Sequence, residues 1–243
     1  MNHADCKKMI NFEWGRHGLE KCSATSDAVI IIDVLSFSTC VDIVTEKGGC
    51  IFPYRYKDDT SVEYAKSVNA HLTSFKRSSE LPSLSPVSLK NIPPGSRIVL
   101  PSPNGSELTL LSGSKLTICA CLRNFTAVAG YVNTLDGNIT VIAAGEKWPD
   151  GSIRFAIEDF LGAGAVLSLL QAELSIEAQA CRSFFTANQQ NTENIIYDCI
   201  SGRDLAERGF KCDVDAALEL NISGSIPVLH NGCYTDLNKT NLF

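Results

Sequence analysis

The chain has 243 residues, of which 44% are hydrophobic and 20% are charged, and its formal net charge is −6. This length and composition suffice for one ordinary globular domain or two small ones. The acidic balance argues against a nucleic acid or an anionic membrane as the main partner, although a pocket inside an acidic protein can still be locally positive.

The N-terminal stretch MNHADCKKMINFEW lacks the apolar core of a signal peptide, and no run approaches the ~18 apolar residues that a membrane span requires. The ten cysteines are scattered without a CxxC pair and the four histidines are isolated, which argues against a zinc site. A chain of this size needs no disulfides to fold. We therefore expect reduced cysteines and a cytoplasmic location.

Four apolar runs rich in valine and isoleucine predict strands that are covered on both faces. They comprise residues 28–35, 97–100, 116–121 and 138–144. A polar turn and a helical pattern follow each run, the patterns covering residues 39–47, 107–111, 126–133 and 155–170. This alternation predicts a three-layer α/β/α fold around a largely parallel central sheet, in which some mixed pairing is left open.

Residues 54–96 interrupt the alternation. They are rich in serine, proline and lysine, with one helical pattern over 61–70, and residues 81–96 predict a long loop. A loop of that length inside a compact domain is often functional. Two short helical patterns over 201–209 and 213–220 occupy the tail. We expect a single unit over residues 1–243, and a division into two lobes near residues 115–150 is left open.

Polar residues follow each of the four predicted strands. In an open α/β sheet, ligands bind beyond the carboxyl ends of the strands, and in a parallel sheet these ends share one edge. Hydroxyl, amide and cationic groups converging there, together with the amides of helix N-termini, favour a phosphate or carboxylate ligand. The candidate binding residues are Ser36, Ser38, Thr39, Asn104, Gly105, Ser106, Arg123, Asn124 and Glu146.

Three carboxylates are candidates for catalysis and for metal binding. Asp33 ends the most apolar run, where a lone buried charge is costly unless it is paired or bound to a metal. Glu158 and Asp159 begin a helix, where neighbours point about 100° apart, so only one of them need face the site. Oxygen ligands without histidine or cysteine suit Mg²⁺. Helix capping or helix-start electrostatics would explain each residue singly. Their joint placement at successive strand ends indicates a site.

Longer segments carry a resemblance to a known family. They are IIDVLSFSTCVDIV, LPSPNGSELT, CLRNFTAVA, AAGEKWPDGSIRFAIEDFLGAGAV and SGRDLAERGFKCDVDAALELNISGSIPVL. In this order they resemble the 2-phosphosulfolactate phosphatase family of coenzyme M biosynthesis, over residues 12–229. The resemblance implies an α/β fold and a Mg²⁺-dependent phosphatase that converts (R)-2-phospho-3-sulfolactate to 3-sulfolactate and phosphate. It carries over to Asp33, to residues 104–106, to Asn124, to residues 145–146 and to residues 158–159.

One departure from the family pattern bears on the substrate. The family usually has arginine directly after Asp-Val-Leu, where this chain has Ser36. Arginine is the usual bidentate partner of phosphate or sulfonate, so Arg77, Arg123, Lys147 or Arg154 would have to supply the cation. Arg123 is the first choice.

Several alternatives stay open at this point. The chain could be a non-catalytic protein that binds a small anion, or a phosphatase for another small phosphorylated metabolite. We favour direct attack by water over an aspartyl-phosphate, because DVLSFST lacks the Asp-x-Asp spacing of the enzymes that form one. A homodimer is the default expectation for the oligomeric state.

Overall fold

The structure, a computed structural model, describes residues 8–113 and 116–240. The first half of the chain forms β1 (Met9–Trp14), α1 (Gly15–Cys22), β2 (Ala28–Ile32), α2 (Phe37–Glu46), β3 (Cys50–Tyr54), α3 (Asp59–Ser67), β4 (His71–Leu72), α4 (Pro86–Leu89), β5 (Arg97–Pro101) and α5 (Gly105–Leu111). The second half forms β6 (Leu116–Ala120), α6 (Phe125–Asn133), β7 (Ile139–Ala143), β8 (Glu146–Lys147), β9 (Ile153–Arg154), α7 (Ile157–Ser168), β10 (Glu173–Leu174), α8 (Ile176–Asn188), α9 (Thr192–Asp198), α10 (Ile200–Glu207), α11 (Lys211–Ala217), β11 (Pro227–His230) and β12 (Cys233–Asp236).

The four predicted strands are confirmed as β2, β5, β6 and β7, and the helices that follow them as α2, α5, α6 and α7. Their uninterrupted apolar character reflects burial on both faces. Ile30 and Ile32 of β2 pack in one core with Leu161 of α7, while Val29 and Ile31 pack on the other side with helices α1 and α5. Helices therefore cover both faces of the sheet, which confirms the three-layer α/β/α architecture.

Strands β1 and β3 were not among the predicted strands. The alternation of apolar and polar residues in β1 covers only six residues, and β3 contains Pro53, a residue that is uncommon inside strands. The predicted long loop over residues 81–96 is partly wrong, because it includes the short helix α4. Pro86 is the first residue of that helix, where its missing N–H costs no hydrogen bond.

Within the described residues, ten strands form one sheet in the order β10-β1-β7-β2-β6-β11-β12-β3-β5-β4. Strands β10, β1, β7, β2 and β6 pair in parallel, and so do β3, β5 and β4. The hairpin β11–β12 joins the two groups through antiparallel pairs on both of its sides. Three successive reversals follow, so β3, β5 and β4 run opposite to β2, β6 and β7.

The expectation that all four predicted strands end at one edge of a parallel sheet is therefore wrong. The turn after β5 does not share a parallel edge with the turn after β2, although the two turns are in contact. Sheets twist by about 20–25° between neighbouring strands, so five steps rotate the strand direction by roughly 100–125°. A rotation of this size is enough to bring the turn after β5 beside the turn after β2, and a hydrogen bond from Gly105 N to Asp33 Oδ2 joins the two turns.

Among the described residues, no helix is both long enough and apolar enough to cross a membrane. The cytoplasmic location, the homodimer and the single unit with its open lobe boundary near residues 115–150 stay predictions.

Candidate active site

Asp33 lies immediately after β2 and joins two turns of the chain. Its Oδ1 accepts a hydrogen bond from Phe37 N at 3.2 Å, and its Oδ2 accepts one from Gly105 N at 2.8 Å. The carboxylate is only 6% exposed. Ser38 closes the same turn, because its Oγ donates to Asp33 O at 2.7 Å. Asp33 thus links the N-terminus of α2 to the N-terminus of α5.

Glycine at position 105 is required by this contact. A Cβ atom there would lie 2.2 Å from the Phe37 ring, well inside van der Waals contact. The amide of α5 can therefore approach Asp33 only because residue 105 has no side chain. The Asn-Gly pair that is a common turn signal in the sequence is a close packing point in the structure.

Asp159 makes the corresponding link to the turn after β7. Its Oδ1 accepts a hydrogen bond from Val34 N at 2.8 Å, and its Oδ2 accepts one from Gly145 N at 2.9 Å. Gly145 has a φ of +67°, a conformation that side chains rarely adopt. Asp33 and Asp159 together hold the turns after β2, β5 and β7 in one place.

Two glutamates complete what we call the carboxylate cluster, formed by Asp33, Glu146, Glu158 and Asp159. Glu146 Oε2 accepts a hydrogen bond from Asn104 Nδ2 at 3.0 Å. Glu158 is 2% exposed, and burial followed by the charge of Glu158 raises the pKa of the neighbouring Cys199 thiol. Burial, followed by the charge of Glu158, raises the pKa of Glu146.

The cluster carries strong mutual repulsion. Burial and then the charge of Glu146 raise the pKa of Asp33 to about 7, against the opposing effect of its backbone hydrogen bonds. Burial and the charges of Asp33 and Glu158 raise the pKa of Asp159 well above its ordinary value. Asp33, Glu146 and Asp159 in this environment either keep protons or gain from a bound cation.

The ligands that the cluster offers to a metal ion are carboxylate oxygens, which Mg²⁺ prefers. In the described part of the chain, no three histidine, cysteine or acidic side chains stand together as a ready-made metal site. Mg²⁺ needs fewer protein ligands, since it is usually held by one or two carboxylates, several waters and substrate phosphate. An all-oxygen donor set with raised pKa values fits this requirement.

A cavity of about 350 Å³ adjoins the cluster, and Glu146, a member of the cluster, also lines this cavity. We call it the arginine cavity, because Arg77, Arg154 and Arg208 line it together with Leu35 and Ser201. Arg154 stands opposite Glu146 in the β8–β9 pair and donates to Ser201 Oγ at 2.9 Å. Asp204 also lines the cavity and pairs with Arg208 at 3.0 Å. The cavity therefore brings three guanidinium groups beside the acids, and one of them is already paired with an acid of the same wall.

Arg77 reaches the cavity from the segment between β4 and α4. Its Nη1 and Nη2 lie 3.3 and 3.2 Å from Ser36 Oγ. Asp213 of α11 pairs with the same guanidinium at 2.6 Å and also accepts a hydrogen bond from Ser85 Oγ. The ring of Phe210 lies under it at 5.8 Å. Arg77 is thus fixed beside Ser36.

Comparison with known proteins decides the family. A family model described as 2-phosphosulpholactate phosphatase matches residues 16–232, most of the chain. The chain belongs to the 2-phosphosulpholactate phosphatase family. This membership confirms the resemblance found in the sequence and makes the chain a phosphoric monoester hydrolase by family.

Three relatives that carry the family's name match different shares of this chain. A 2-phosphosulfolactate phosphatase of Methanothermobacter thermautotrophicus is 29% identical over 215 residues, covering 85% of this chain and 88% of the relative. A probable 2-phosphosulfolactate phosphatase of Carboxydothermus hydrogenoformans is 28% identical over 216 residues, covering 86% and 88%. One of Thermotoga petrophila is 30% identical over 141 residues, covering 58% and 60%.

Arg123 of this family member is not brought to the carboxylate cluster, although the sequence made it the first choice for anion binding. Its side chain is 3% exposed and pairs with Asp42 at 2.7 Å, with Glu46 at 3.1 Å and with Glu219. Three carboxylates already use this guanidinium. Lys147 is likewise engaged, with Glu107 at 2.7 Å.

Three of the predicted substrate-binding residues form hydrogen bonds to the backbone instead of facing the cavity. Asn124 precedes α6 as predicted for a cap, but its amide bonds Cys121 N and Ser225 O instead of the helix. Thr39 Oγ1 donates to Val34 O at 2.7 Å, and Ser106 Oγ donates to Leu100 O at 2.8 Å. Thr39, Ser106 and Asn124 are almost completely buried, so their side chains shape the turns.

The tail contributes residues that sequence reasoning missed. Ser201 and Arg208 of the α10 region line the arginine cavity, and Asp213 holds Arg77. The segment SGRDLAERGF is part of the family resemblance, which was the available signal. Its alternating charges are equally typical of a solvated helix face, and so they did not indicate a site.

Proposed function

We propose that this chain is a phosphatase of a small phosphorylated 2-hydroxy acid, with (R)-2-phospho-3-sulfolactate as the first candidate substrate and Mg²⁺ as the cofactor. The observation that carries the proposal is the junction, at Glu146, of the carboxylate cluster and the arginine cavity. Hydrolysis of a phosphoryl group requires groups that stabilise its negative charge. A second anion on the same substrate requires fixed cations nearby.

The arginine cavity is suited to the anionic ends of such a substrate. Arg77 supplies, beside Ser36, the guanidinium that the family pattern has directly after Asp-Val-Leu. Arg154 and Arg208 face the same space. Guanidinium groups bind carboxylate, sulfonate and phosphate oxygens through paired hydrogen bonds. We therefore assign the second anion of the substrate to Arg77 and the phosphoryl end to the side of Arg154 and Glu146.

The metal proposal rests on the acids. Glu158 would hold Mg²⁺ with Asp33 or Asp159, each of which keeps lone pairs beyond its backbone hydrogen bonds. A bound Mg²⁺ would neutralise phosphoryl oxygens and acidify water. Asn104, whose side-chain amide reaches Glu146 at 3.0 Å, would bind phosphoryl oxygens.

Asp33 is the proposed proton acceptor. Its pKa, raised to about 7, matches the task of taking a proton from an attacking water near neutral pH. Asp159 would position the turns, because its two oxygens bind the amides of Val34 and Gly145 and so tie the turn after β2 to the turn after β7. This division of roles keeps direct attack by water as the proposed route.

Phosphate release by the purified chain tests the proposal. We expect Mg²⁺-dependent release from 2-phosphosulfolactate, lower release from 2-phospholactate, and loss of at least two orders of magnitude in Asp33→Asn, the scale of a lost general base. The exposed Asp59 provides a matched control, and Asp59→Asn should behave as the native chain.

Each contrary outcome points to a different reading. Full turnover in Asp33→Asn would remove Asp33 from catalysis. Release without Mg²⁺ after chelation would overturn the metal assignment. No turnover on either substrate, with phosphate still bound by the folded chain, would favour a small-anion-binding protein.

A further inference from the structure

A second cavity lies beside the edge strand β4, and none of its lining residues belongs to the carboxylate cluster or lines the arginine cavity. Its volume is about 650 Å³, within the range of roughly 300–1,000 Å³ that is usual for small-molecule sites. Eight of its twelve lining residues have apolar side chains. We call it the apolar cavity, and its main apolar residues are Val62, Phe75, Leu81, Ile92 and Ile98.

The apolar cavity has a buried floor and an exposed rim. Ile92 and Ile98 line it from within the core, where they pack with residues of α2 and α4. Val62, Phe75 and Leu81 line it too, although 38%, 39% and 63% of these residues is exposed. Apolar side chains that stay exposed around one concave space are typical of an interaction site.

Hydrogen bonds hold the rim loop, residues 74–83, in one conformation. Ser74 N donates to Pro82 O at 2.8 Å and so joins the two ends of the loop. Within the loop, Ser78 N donates to Ser83 Oγ at 3.0 Å, and that hydroxyl donates back to Ser78 O at 2.8 Å. A wall fixed in this way needs no ordering when a ligand binds, which favours affinity.

Thr73 adds a polar group without a partner to this lining. The residue is 3% exposed, and its Oγ1 is one of two buried side-chain nitrogen or oxygen atoms in the described part of the chain that have no hydrogen bond. Ser74 and Ser96, by contrast, donate to the backbone oxygens of Lys76 and Pro93. A buried hydroxyl without a partner is costly, so a ligand gains affinity by hydrogen-bonding to Thr73.

We propose that the apolar cavity binds a neutral, largely apolar small molecule that carries one hydrogen-bonding group. No lysine, arginine or acidic residue is among the described residues that line it. A charged ligand would lose its water there without gaining an ionic partner. The ligand is therefore not the anionic substrate of the proposed phosphatase, and the inference does not depend on that function.

Titration of the purified full chain with N-phenyl-1-naphthylamine, a neutral dye that fluoresces in apolar surroundings, tests the proposal. We expect saturable binding of one dye molecule per chain. The dye should be displaced by 1-methylnaphthalene, and 1-naphthoate should displace it less effectively by about tenfold or more, because the carboxylate finds no cation in the cavity. Equal displacement by both competitors would overturn the neutral ligand class.

Changes at the rim locate the dye. Leu81→Gln should weaken dye binding about 3–10-fold, since it removes apolar area from the contact. Ile176→Gln is the matched control, at an exposed residue of α8 that does not line the cavity, and should leave binding unchanged. Native dye affinity in both Leu81→Gln and Phe75→Gln would place the dye elsewhere and overturn the proposal.

Thr73→Val tests the hydrogen bond, because valine keeps the shape of threonine and lacks the hydroxyl. Binding of 1-naphthol, measured by displacement of the dye, should weaken about 2–10-fold. Binding of 1-methylnaphthalene should stay the same. An equal effect on the two competitors, or none on either, would overturn the part assigned to Thr73.

Sedimentation of the ligand-free chain tests for a different occupant, a second copy of the chain. We expect dye binding per chain to stay constant as the protein concentration rises. A dimer that excludes the dye and dissociates in Leu81→Gln would show that the second copy fills the cavity, and would overturn the small-molecule assignment.

Discussion

Arg77 is far from Ser36 in the sequence, yet its guanidinium lies beside Ser36, the position where the family pattern has arginine. The two terminal nitrogens of the guanidinium lie 3.3 and 3.2 Å from Ser36 Oγ. Asp213 and the Phe210 ring hold that guanidinium in place. The anchoring limits its motion, so Arg77 is prepared for an anion before the anion arrives.

Replacing Arg77 tests this role. In Arg77→Gln we expect KM for 2-phosphosulfolactate to rise about 10–100-fold with a smaller change in kcat, because a charge-assisted hydrogen bond contributes roughly 1.5–3 kcal/mol. Arg77→Lys should recover part of the loss, since it keeps the charge without the planar fork. Steady-state kinetics measure both values.

The control for that experiment is Arg182→Gln, at an arginine of α8 that does not line the arginine cavity. It should leave KM unchanged. A fall in kcat alone in Arg77→Gln, with KM intact, would contradict the assignment of the second anion to Arg77.

At the scale of elements, the site depends on how closely helix α5 approaches the turn after β2. Gly105 N reaches Asp33 at 2.8 Å, and the Phe37 ring lies directly against the glycine. Gly105 thus provides both the hydrogen bond and the packing contact between α5 and the turn after β2. Any atom added at position 105 must move α5 away from Asp33.

Gly105→Ala should therefore lower both stability and activity. We expect a loss of about 1–3 kcal/mol in the free energy of unfolding, the usual range for overpacking a core. Turnover should fall together with it, because the Asp33–Gly105 hydrogen bond is broken. Urea unfolding and phosphate release measure the two effects.

Gly130→Ala provides a matched helical control. Gly130 lies in α6, and a Cβ atom there would meet nothing within 4 Å. This change should be neutral or stabilise the chain by roughly 0.5–1 kcal/mol, since alanine favours a helix. Equal behaviour of the two variants would show that Gly105 is not a packing constraint.

Most of the local elements could be predicted, and most of the pairings could not. The valine-rich and isoleucine-rich runs of β2, β6 and β7 identify buried strands from a few residues each. The antiparallel hairpin β11–β12 reverses the second group of strands, and its residues carry no mark of which strand they will join. The meeting of Asn104 with Glu146 depends on that reversal.

Across the whole molecule, a buried ion network connects distant segments. Arg123 follows β6, Asp42 and Glu46 belong to α2, and Glu219 follows α11. Burial raises the pKa of Asp42 to about 6, with Ser223 and Arg123 opposing the effect. The network explains why this arginine is structural in this structure, and it predicts a pH-dependent stability.

Arg123→Gln should destabilise the chain by about 3–5 kcal/mol at pH 8, the cost of leaving a buried charge without its partner. Asp42 has a folded pKa above its unfolded value, so its ionisation lowers stability as pH rises from about 4 through 6. Removing Arg123 raises that pKa further. The deficit should therefore shrink at pH 4.5, where Asp42 stays protonated. Thermal melts at both pH values measure it.

Kinetics on the same variant distinguish a structural role from a binding role. Assayed well below its melting temperature, Arg123→Gln should keep the native KM. A tenfold or larger rise in KM in the folded variant would return Arg123 to the substrate site and contradict the network as its sole function.

The sequence by itself determined which stretches are strands and helices, because burial and helix periodicity are written into neighbouring residues. It also determined that Asp33, Asn104 and Glu146 lie in the polar turns after strands and that Glu158 and Asp159 begin a helix. Only the tertiary structure decided which charges meet. Arg77 and Arg123 are similar in the sequence to many other arginines. Their partners lie far along the chain, and long-range pairing leaves no local pattern.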